Sequence, residues 1–296
     1  MISITTDNYT DLVRELTKHY IDYPKTISIE TKSLCNADCS FCPYSSLERL
    51  GTELPDRVID KICSEIAQFP KEHKLNVVLS RVNETFLDKR WFNIANKILE
   101  AKHDTTFGFF TNGSTLSNNN LEKLMRLRNV DYLNISLNYS DPKEHADNMK
   151  LDFTKVIRKM KKVHTLVETG HFKPLVVASR VGTGDQRDND FKTFVEKEFP
   201  RFRIKIASQS DWLGNVEVTG NFDIPSEPCR QWFQLHILAD GKHAFCCIDS
   251  GGDFGFGNIE NQTILEMYNH PELKRIRQKL PPRTDVSTCK DCVLRP

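Results

Sequence analysis

Three thiols crowd into the stretch SLCNADCSFCPYS, where Cys35, Cys39 and Cys42 follow the spacing C-x3-C-x2-C. A tetrahedral zinc site normally closes on four ligands, usually drawn from paired C-x2-C or Cys/His arrangements. Three close thiolates with no fourth nearby suit a [4Fe–4S] cube instead, which leaves one iron open to chelate a substrate or cofactor. Cys229, Cys246, Cys289 and Cys292 form a second set toward the C-terminus. It reads C-x11-G-x4-C through Gly241, with a C-x2-C pair at the end. A hairpin can hold two thiolates and the terminal pair two more, completing either a zinc site or a fully ligated [4Fe–4S] cluster. Spacing alone does not choose between them. Neighbouring side chains on a strand point to opposite faces, so Cys246 and Cys247 are not expected to ligate together, and the G-x4-C spacing favours Cys246. Cys63 falls in a helical stretch and reads as a small buried apolar residue.

The chain of 296 residues is 39% hydrophobic and 27% charged, which is enough to bury a sizeable core. Lys and Arg number 41 against 40 Asp and Glu, so the broad positive field of a nucleic-acid binder is missing. The basic run at 155–164, KVIRKMKKVH, reads as the solvated face of a helix, with Val156, Ile157, Met160 and Val163 turned to the core. The opening MISITTDNYTDL lacks a basic region followed by an apolar stretch, and no long apolar run follows. Neither a signal peptide nor a membrane span is expected, and a cytoplasmic location is. In that compartment nine cysteines point to metal binding or catalysis rather than to disulfides.

These thiols need a scaffold. A short helix is expected over 5–20, then a strand at 25–31 that leads into the cysteine loop. Helices at 56–69, 90–102, 118–128, 152–166 and 188–198 each precede a strand, at 75–80, 106–112, 131–138, 174–180 and 202–208. The polar candidates cluster just after these strands, the carboxyl-end face on which parallel barrels build their sites. The alternation stops near 209. Past a turn-rich stretch, WFQLHIL-ADG-KHAFCCI reads as a β-hairpin around Asp240-Gly241, and a helix is expected over 263–279. The expected fold is therefore α/β: a partial (β/α)6 TIM-type barrel at 25–209, with an N-terminal helical extension at 1–24 and a small C-terminal hairpin-and-helix domain at 210–296.

The Cys35 loop, placed after a first strand and with aromatic Phe41 before its last thiol, resembles the radical S-adenosylmethionine (SAM) superfamily. The resemblance implies that SAM chelates the open iron and is cleaved to a 5′-deoxyadenosyl radical. It also implies an electron donor of the flavodoxin or ferredoxin type. In that family a Gly-Gly-Glu-Pro stretch after the second strand meets the SAM amino group. Arg81-Val82-Asn83-Glu84-Thr85 stands there, keeping only the acid, so Glu84 is the expected contact. Phe110-Thr111-Asn112-Gly113 resembles the family's turn after the third strand, which brings in Asn112. Ser136 and Asn138 are expected at the ribose, and Arg180 at the SAM carboxylate. The second thiol set resembles the shortened, twitch form of the SPASM auxiliary-cluster domain, in a layout similar to that of 2-deoxy-scyllo-inosamine dehydrogenases.

The expected chemistry is oxidation of a small polar molecule, a sugar or aminocyclitol alcohol, with one electron passing to an auxiliary [4Fe–4S] cluster. Asp249 is the expected general base, with Gln209 and Asp211 as alternatives. A peptide substrate is the runner-up. A zinc-stabilised nucleic-acid module is the reading from another class, and the charge balance and the Cys35 loop oppose it. No nucleic-acid or membrane partner is expected.

Overall fold

The computed structural model describes residues 6–218 and 224–294. Helix α1 (Thr6–Tyr20) leads into strand β1 (Thr26–Ile29), and five helix–strand units follow. They are α2 (Asp56–Ile66) with β2 (Asn76–Val78), α3 (Trp91–Ala101) with β3 (Thr106–Thr111), and α4 (Asn118–Arg126) with β4 (Val130–Ser136). Helices α5 (Pro142–Met149) and α6 (Phe153–Glu168) precede β5 (Leu175–Gly182), and α7 (Gln186–Glu198) precedes β6 (Arg203–Ser208). The C-terminal part holds β7 (Gln234–Ile237), β8 (His243–Ala244), α8 (Ile264–Tyr268) and α9 (Pro271–Lys279). Among the described residues no helix is long and apolar enough to cross a membrane.

The strands form one sheet in the order β6-β5-β4-β3-β2-β1-β7-β8, open between β6 and β8. The six expected strands pair in parallel, as the alternation predicts for a partial barrel. The period of two sorts each strand. Ile27, Ile29, Phe107, Phe109, Leu133 and Ile135 turn outward into the core beneath the helices, while Thr26, Ser28, Phe110, Tyr132 and Ser136 turn inward to a cavity. Gly108 is what admits Tyr132 to the interior, because a Cβ there would meet the ring of Tyr132 at 2.2 Å. Val156, Met160 and Val163 are buried on α6 as their spacing requires.

Three features differ from the sequence expectation. Helix α5 follows β4, opened by Asp141, whose carboxylate accepts from the Lys143 and Glu144 amides, with Pro142 in the first turn. An Asp-Pro pair is a start signal, but the helix has only eight residues and little apolar periodicity. The single helix expected over 263–279 is two, because Pro271 begins a new first turn just past the end of α8. The hairpin is also continuous with the barrel. β7 pairs in parallel with β1, Thr26 opposite Gln234 and Ser28 opposite His236, while β8 returns antiparallel. Thus the inward face of β7 belongs to the barrel interior. Helix α1 likewise packs on the C-terminal part, with Val13 and Leu16 against Trp232, Phe233 and Ile276.

Candidate active site

The Cys35 loop folds over the carboxyl end of the sheet, its neck closed by hydrogen bonds from Ser33 N to Thr52 O (2.8 Å) and from Gly51 N to Ser33 O (2.6 Å). The end of α5 grips its crown, where Asp38 N donates to Met149 O and Ser40 N to Asn148 O. Ala37, Tyr139, Met149 and Leu151 form an apolar bed against which Cys35, Cys39 and Phe41 pack. Cys35, Cys39 and Cys42 all line one end of a cavity of about 500 Å³. The Ala37 amide lies 3.4 Å from the Cys35 sulfur and Asn112 Nδ2 3.9 Å from it, and such donors favour a thiolate ligand. Burial pushes the Cys42 thiol up to about 12 and Cys39 higher still, so both hold their protons until iron displaces them. Among the described residues no three His, Cys, Asp or Glu side chains converge at the spacing a single metal ion needs. A cube of irons holds its thiolates further apart, and the loop fits that group.

Glu84 is buried beside this loop, with a hydrogen bond from its own amide to Leu34 O. Its Oε1 accepts from the hydroxyls of Thr111 (2.8 Å) and Thr115 (2.6 Å), and its Oε2 from the Asn112 amide (2.8 Å). Burial is the largest influence on this carboxyl and raises its pKa against those donors. The group lines the cavity without an ion pair to any described residue. Phe41, Asn112, Ser136 and Asn138 line it too. The amide of Asn138 is already engaged, however: Oδ1 accepts from Val181 N (2.8 Å), and Nδ2 meets the Met149 sulfur at 3.6 Å.

Arg180, by contrast, does not line the cavity. On β5 the buried face runs Val176, Ala178, Arg180, Gly182, and the alternate face, ending in Val181, looks into the cavity. The guanidinium is therefore on the helix side, where Nε donates to Asp188 of α7 at 2.7 Å and the two terminal nitrogens to Asn138 O and Thr183 Oγ1. Period two decides this, and counting a residue as simply at the strand end overlooks it.

Asp249 is engaged by its own turn. Its carboxylate is 1% exposed and accepts from the backbone amides of Phe245, Asp253 and Phe254. It shapes the Gly251-Gly252 turn and does not line the cavity. Of the alternatives, Asp211 accepts from the Leu213 amide, and neither it nor Gln209 lines the cavity, whereas Ser208 and Ser210 do.

The C-terminal thiols Cys229, Cys246, Cys247, Cys289 and Cys292 line a second, small cavity of about 20 Å³ with Arg283. Trp232 lines the same space with its indole Nε1 buried, and that N–H favours the thiolate of Cys289 against its burial. Five thiols, an N–H donor and a counter-cation together offer more than the four thiolates a fully ligated cluster needs. The segment 245–248 is a turn beyond the short strand β8, so strand alternation does not separate Cys246 from Cys247. Cys247 instead forms part of both cavity walls, while Cys246 faces only the small one.

Arg81, just ahead of the stretch that carries Glu84, links these parts. Its Nη1 donates to His236 Nδ1 (3.0 Å) and its Nη2 to the carbonyls of Cys246 and Asp249 (3.0 Å each). Arg49 adds a second tie, pairing with buried Glu30 at 2.5 Å and donating to Ser250 O. Arginine only donates, so the proton of the His236 ring rests on Nε2, which is buried, unpartnered and on the cavity wall. Burial first, then the Arg81 charge, keep that imidazole neutral. The sequence signal for His236 was a polar residue in an otherwise apolar strand, but its direction depends on β7 joining β1.

The radical SAM superfamily profile matches residues 29–197. The chain belongs to the radical SAM superfamily. An iron–sulfur cluster-binding SPASM domain matches residues 229–293. This radical SAM protein thus uses SAM and [4Fe–4S] clusters. Its fold is similar to that of BtrN in complex with AdoMet and 2-DOIA (TM-score 0.61, 15% identity, 90% of this chain and 92% of that one). It is similar as well to Streptococcus suis SuiB bound to precursor peptide SuiA (0.67, 16%, 97% and 73%). A third likeness is to anSMEcpe with bound AdoMet (0.59, 15%, 86% and 82%). The comparison with curated proteins returned no match.

Proposed function

We propose that this radical SAM enzyme oxidises a secondary alcohol of a small polar molecule held in the 500 Å³ cavity. The observation that carries the reading is the shared wall: Cys247 and Ile248 border both the cavity at whose other end Cys35, Cys39 and Cys42 lie and the small C-terminal thiol cavity. A substrate between them is within one residue of an electron acceptor. Cys35, Cys39 and Cys42 would hold one cluster, and Cys229, Cys246, Cys289 and Cys292 the other. When bound, SAM and the clusters supply a 5′-deoxyadenosyl radical that takes hydrogen from the carbinol carbon, and an acceptor for the electron left once the hydroxyl proton has gone to solvent.

The chain's own groups then have separate tasks. Glu84 supplies a buried negative charge for the SAM ammonium, which desolvation otherwise leaves uncompensated. Ser136, whose nearest hydroxyl neighbour Ser179 is 3.5 Å away, supplies a hydroxyl for the ribose. His236 donates Nε2–H to the substrate oxygen, and Phe41 closes the SAM end, its carbonyl bound by Trp212 Nε1 at 3.0 Å. Among the solved relatives the bound partners are 2-DOIA for BtrN and a precursor peptide for SuiB, so a small molecule and a peptide both occur on this fold.

The test is a product balance: with candidate alcohols, 5′-deoxyadenosine and ketone should form in equal amounts while one electron appears in the C-terminal cluster. 5′-Deoxyadenosine with a cross-linked or epimerised product and no ketone would refute the oxidation. The ligand assignment has its own check. Cys246→Ser is expected to lose about four irons per chain and all ketone formation. Cys247→Ser should keep about eight irons, as measured by iron analysis of reconstituted protein.

A further inference from the structure

The wall around Cys247 carries more positive charge than the structure gives it partners for. Lys205 on β6, Arg230 and Arg81 all line the main cavity. Lys205 and Arg230 make no ion pair with any described residue, and Arg81 binds only His236 and two carbonyls. The Nε of Arg230 is buried and has no hydrogen-bond partner. Arg230 and Lys205 are close enough to depress the lysine's pKa after burial has done so. Lys205 is exposed and Arg230 half-buried, so water screens part of their repulsion, and an anion between them would offset the rest. The acid that lines the cavity, Glu84, is committed to Thr111, Thr115 and Asn112 on the Cys35 side.

A thiolate-ligated cluster is itself anionic, so these cations could simply face it. The geometry separates the two roles. Arg283 is the cation of the small thiol cavity, 2% exposed and acting on Cys229, Cys289 and Cys292. Lys205, Arg230 and Arg81 line the main cavity and not the small one. Near them the phenol of Tyr132, kept protonated by burial with a pKa pushed up to about 12, adds a neutral donor on the same wall.

We propose that the substrate carries an oxyanion group, carboxylate or phosphate, which Lys205 and Arg230 bind on the wall beside Cys247. The proposal rests on the reading that this cavity holds the substrate. It would fix the substrate's anionic end near the C-terminal thiols and leave the carbon to be oxidised facing the Cys35 end. The Tyr132 hydroxyl, near Arg230, completes the contacts, and His236 Nε2–H is left for the hydroxyl that is oxidised.

The experiment is isothermal titration of anaerobically reconstituted, SAM-loaded protein with inorganic phosphate and, separately, with malonate. Wild type should bind at least one of them, with affinity falling as salt rises. Lys205→Gln and Arg230→Gln should each weaken it about tenfold or more, and Lys205→Arg should restore most of it. Binding of phosphate alone assigns a phosphorylated substrate, and binding of malonate a carboxylate. No binding of either by wild type, or equal binding by the Gln variants at full iron content, overturns the proposal. So does a shifted potential of the C-terminal cluster in the Gln variants with anion binding unchanged. Because binding needs no turnover, anion binding without ketone formation would sink the oxidation reading alone. Oxidation of an uncharged alcohol without anion binding would sink this one alone.

Discussion

Glu84→Gln is expected to bind SAM about 30- to 300-fold more weakly than wild type, a loss of about 2–3.5 kcal/mol. The substitution keeps the shape and removes the charge. It also sets an amide N–H against one of three donors that now point at the carboxylate, the Thr111 and Thr115 hydroxyls and the Asn112 amide. The pH dependence provides a second signature. Burial raises the Glu84 pKa in the SAM-free fold. Its contribution to stability is therefore fully present below the ordinary glutamate range and is lost as pH rises through the raised folded value. An ammonium placed beside it reverses that preference, so SAM should displace a proton from Glu84. Wild-type affinity should climb with pH just above the ordinary carboxylate range and then level off, while Glu84→Gln should show no such climb. Equilibrium binding of SAM across that range is the measurement. Equal affinities for the two proteins would remove Glu84 from the SAM site.

The second large effect falls on stability. Arg180→Met removes one partner of a pair with Asp188 whose arginine side chain is 1% exposed. It also frees the Asn138 carbonyl and Thr183 hydroxyl that the guanidinium holds. Breaking a buried pair from one side costs about 3–5 kcal/mol, to be read as a lowered urea midpoint of the reconstituted protein. Arg180→Met/Asp188→Leu should recover part of the loss, since the carboxylate is no longer stranded. SAM affinity should stay within about twofold of wild type, because a guanidinium facing α7 makes no charge-assisted bond across the sheet. A large loss of SAM affinity at unchanged stability would return Arg180 to the cofactor.

How far the sequence alone could reach is clearest in these residues. The Cys35 loop was legible because three thiols at fixed spacing in a polar stretch after a strand have few other uses. The parallel sheet was legible because apolar period and β-branched runs alternate with helices for nearly two hundred residues. The directions of Arg180 and Asp249 were not legible for one shared reason: being near a strand end does not say which way a side chain faces. Local chemistry settled both, through Asp188 for the arginine and through unpaired turn amides for the aspartate. The cavity's second wall was hidden for a different reason. Lys205 and His236 are brought to one cavity only because β6 and β7 border the same barrel interior. The pairing of β7 with β1 joins residues some two hundred positions apart, which no local periodicity encodes. Helix α5, which holds the crown of the cysteine loop, was too short to register against its surroundings.

The claim that everything else depends on is that two thiol sets hold two clusters on either side of one cavity. Iron and sulfide content with Mössbauer spectra tests it directly, on anaerobically reconstituted wild type beside Cys35→Ala/Cys39→Ala/Cys42→Ala. About eight irons per chain as [4Fe–4S], falling to about four in the variant, is the result this account predicts. About four in wild type and none in the variant would leave the C-terminal thiols without a cluster, and the electron acceptor beside Cys247 would not exist.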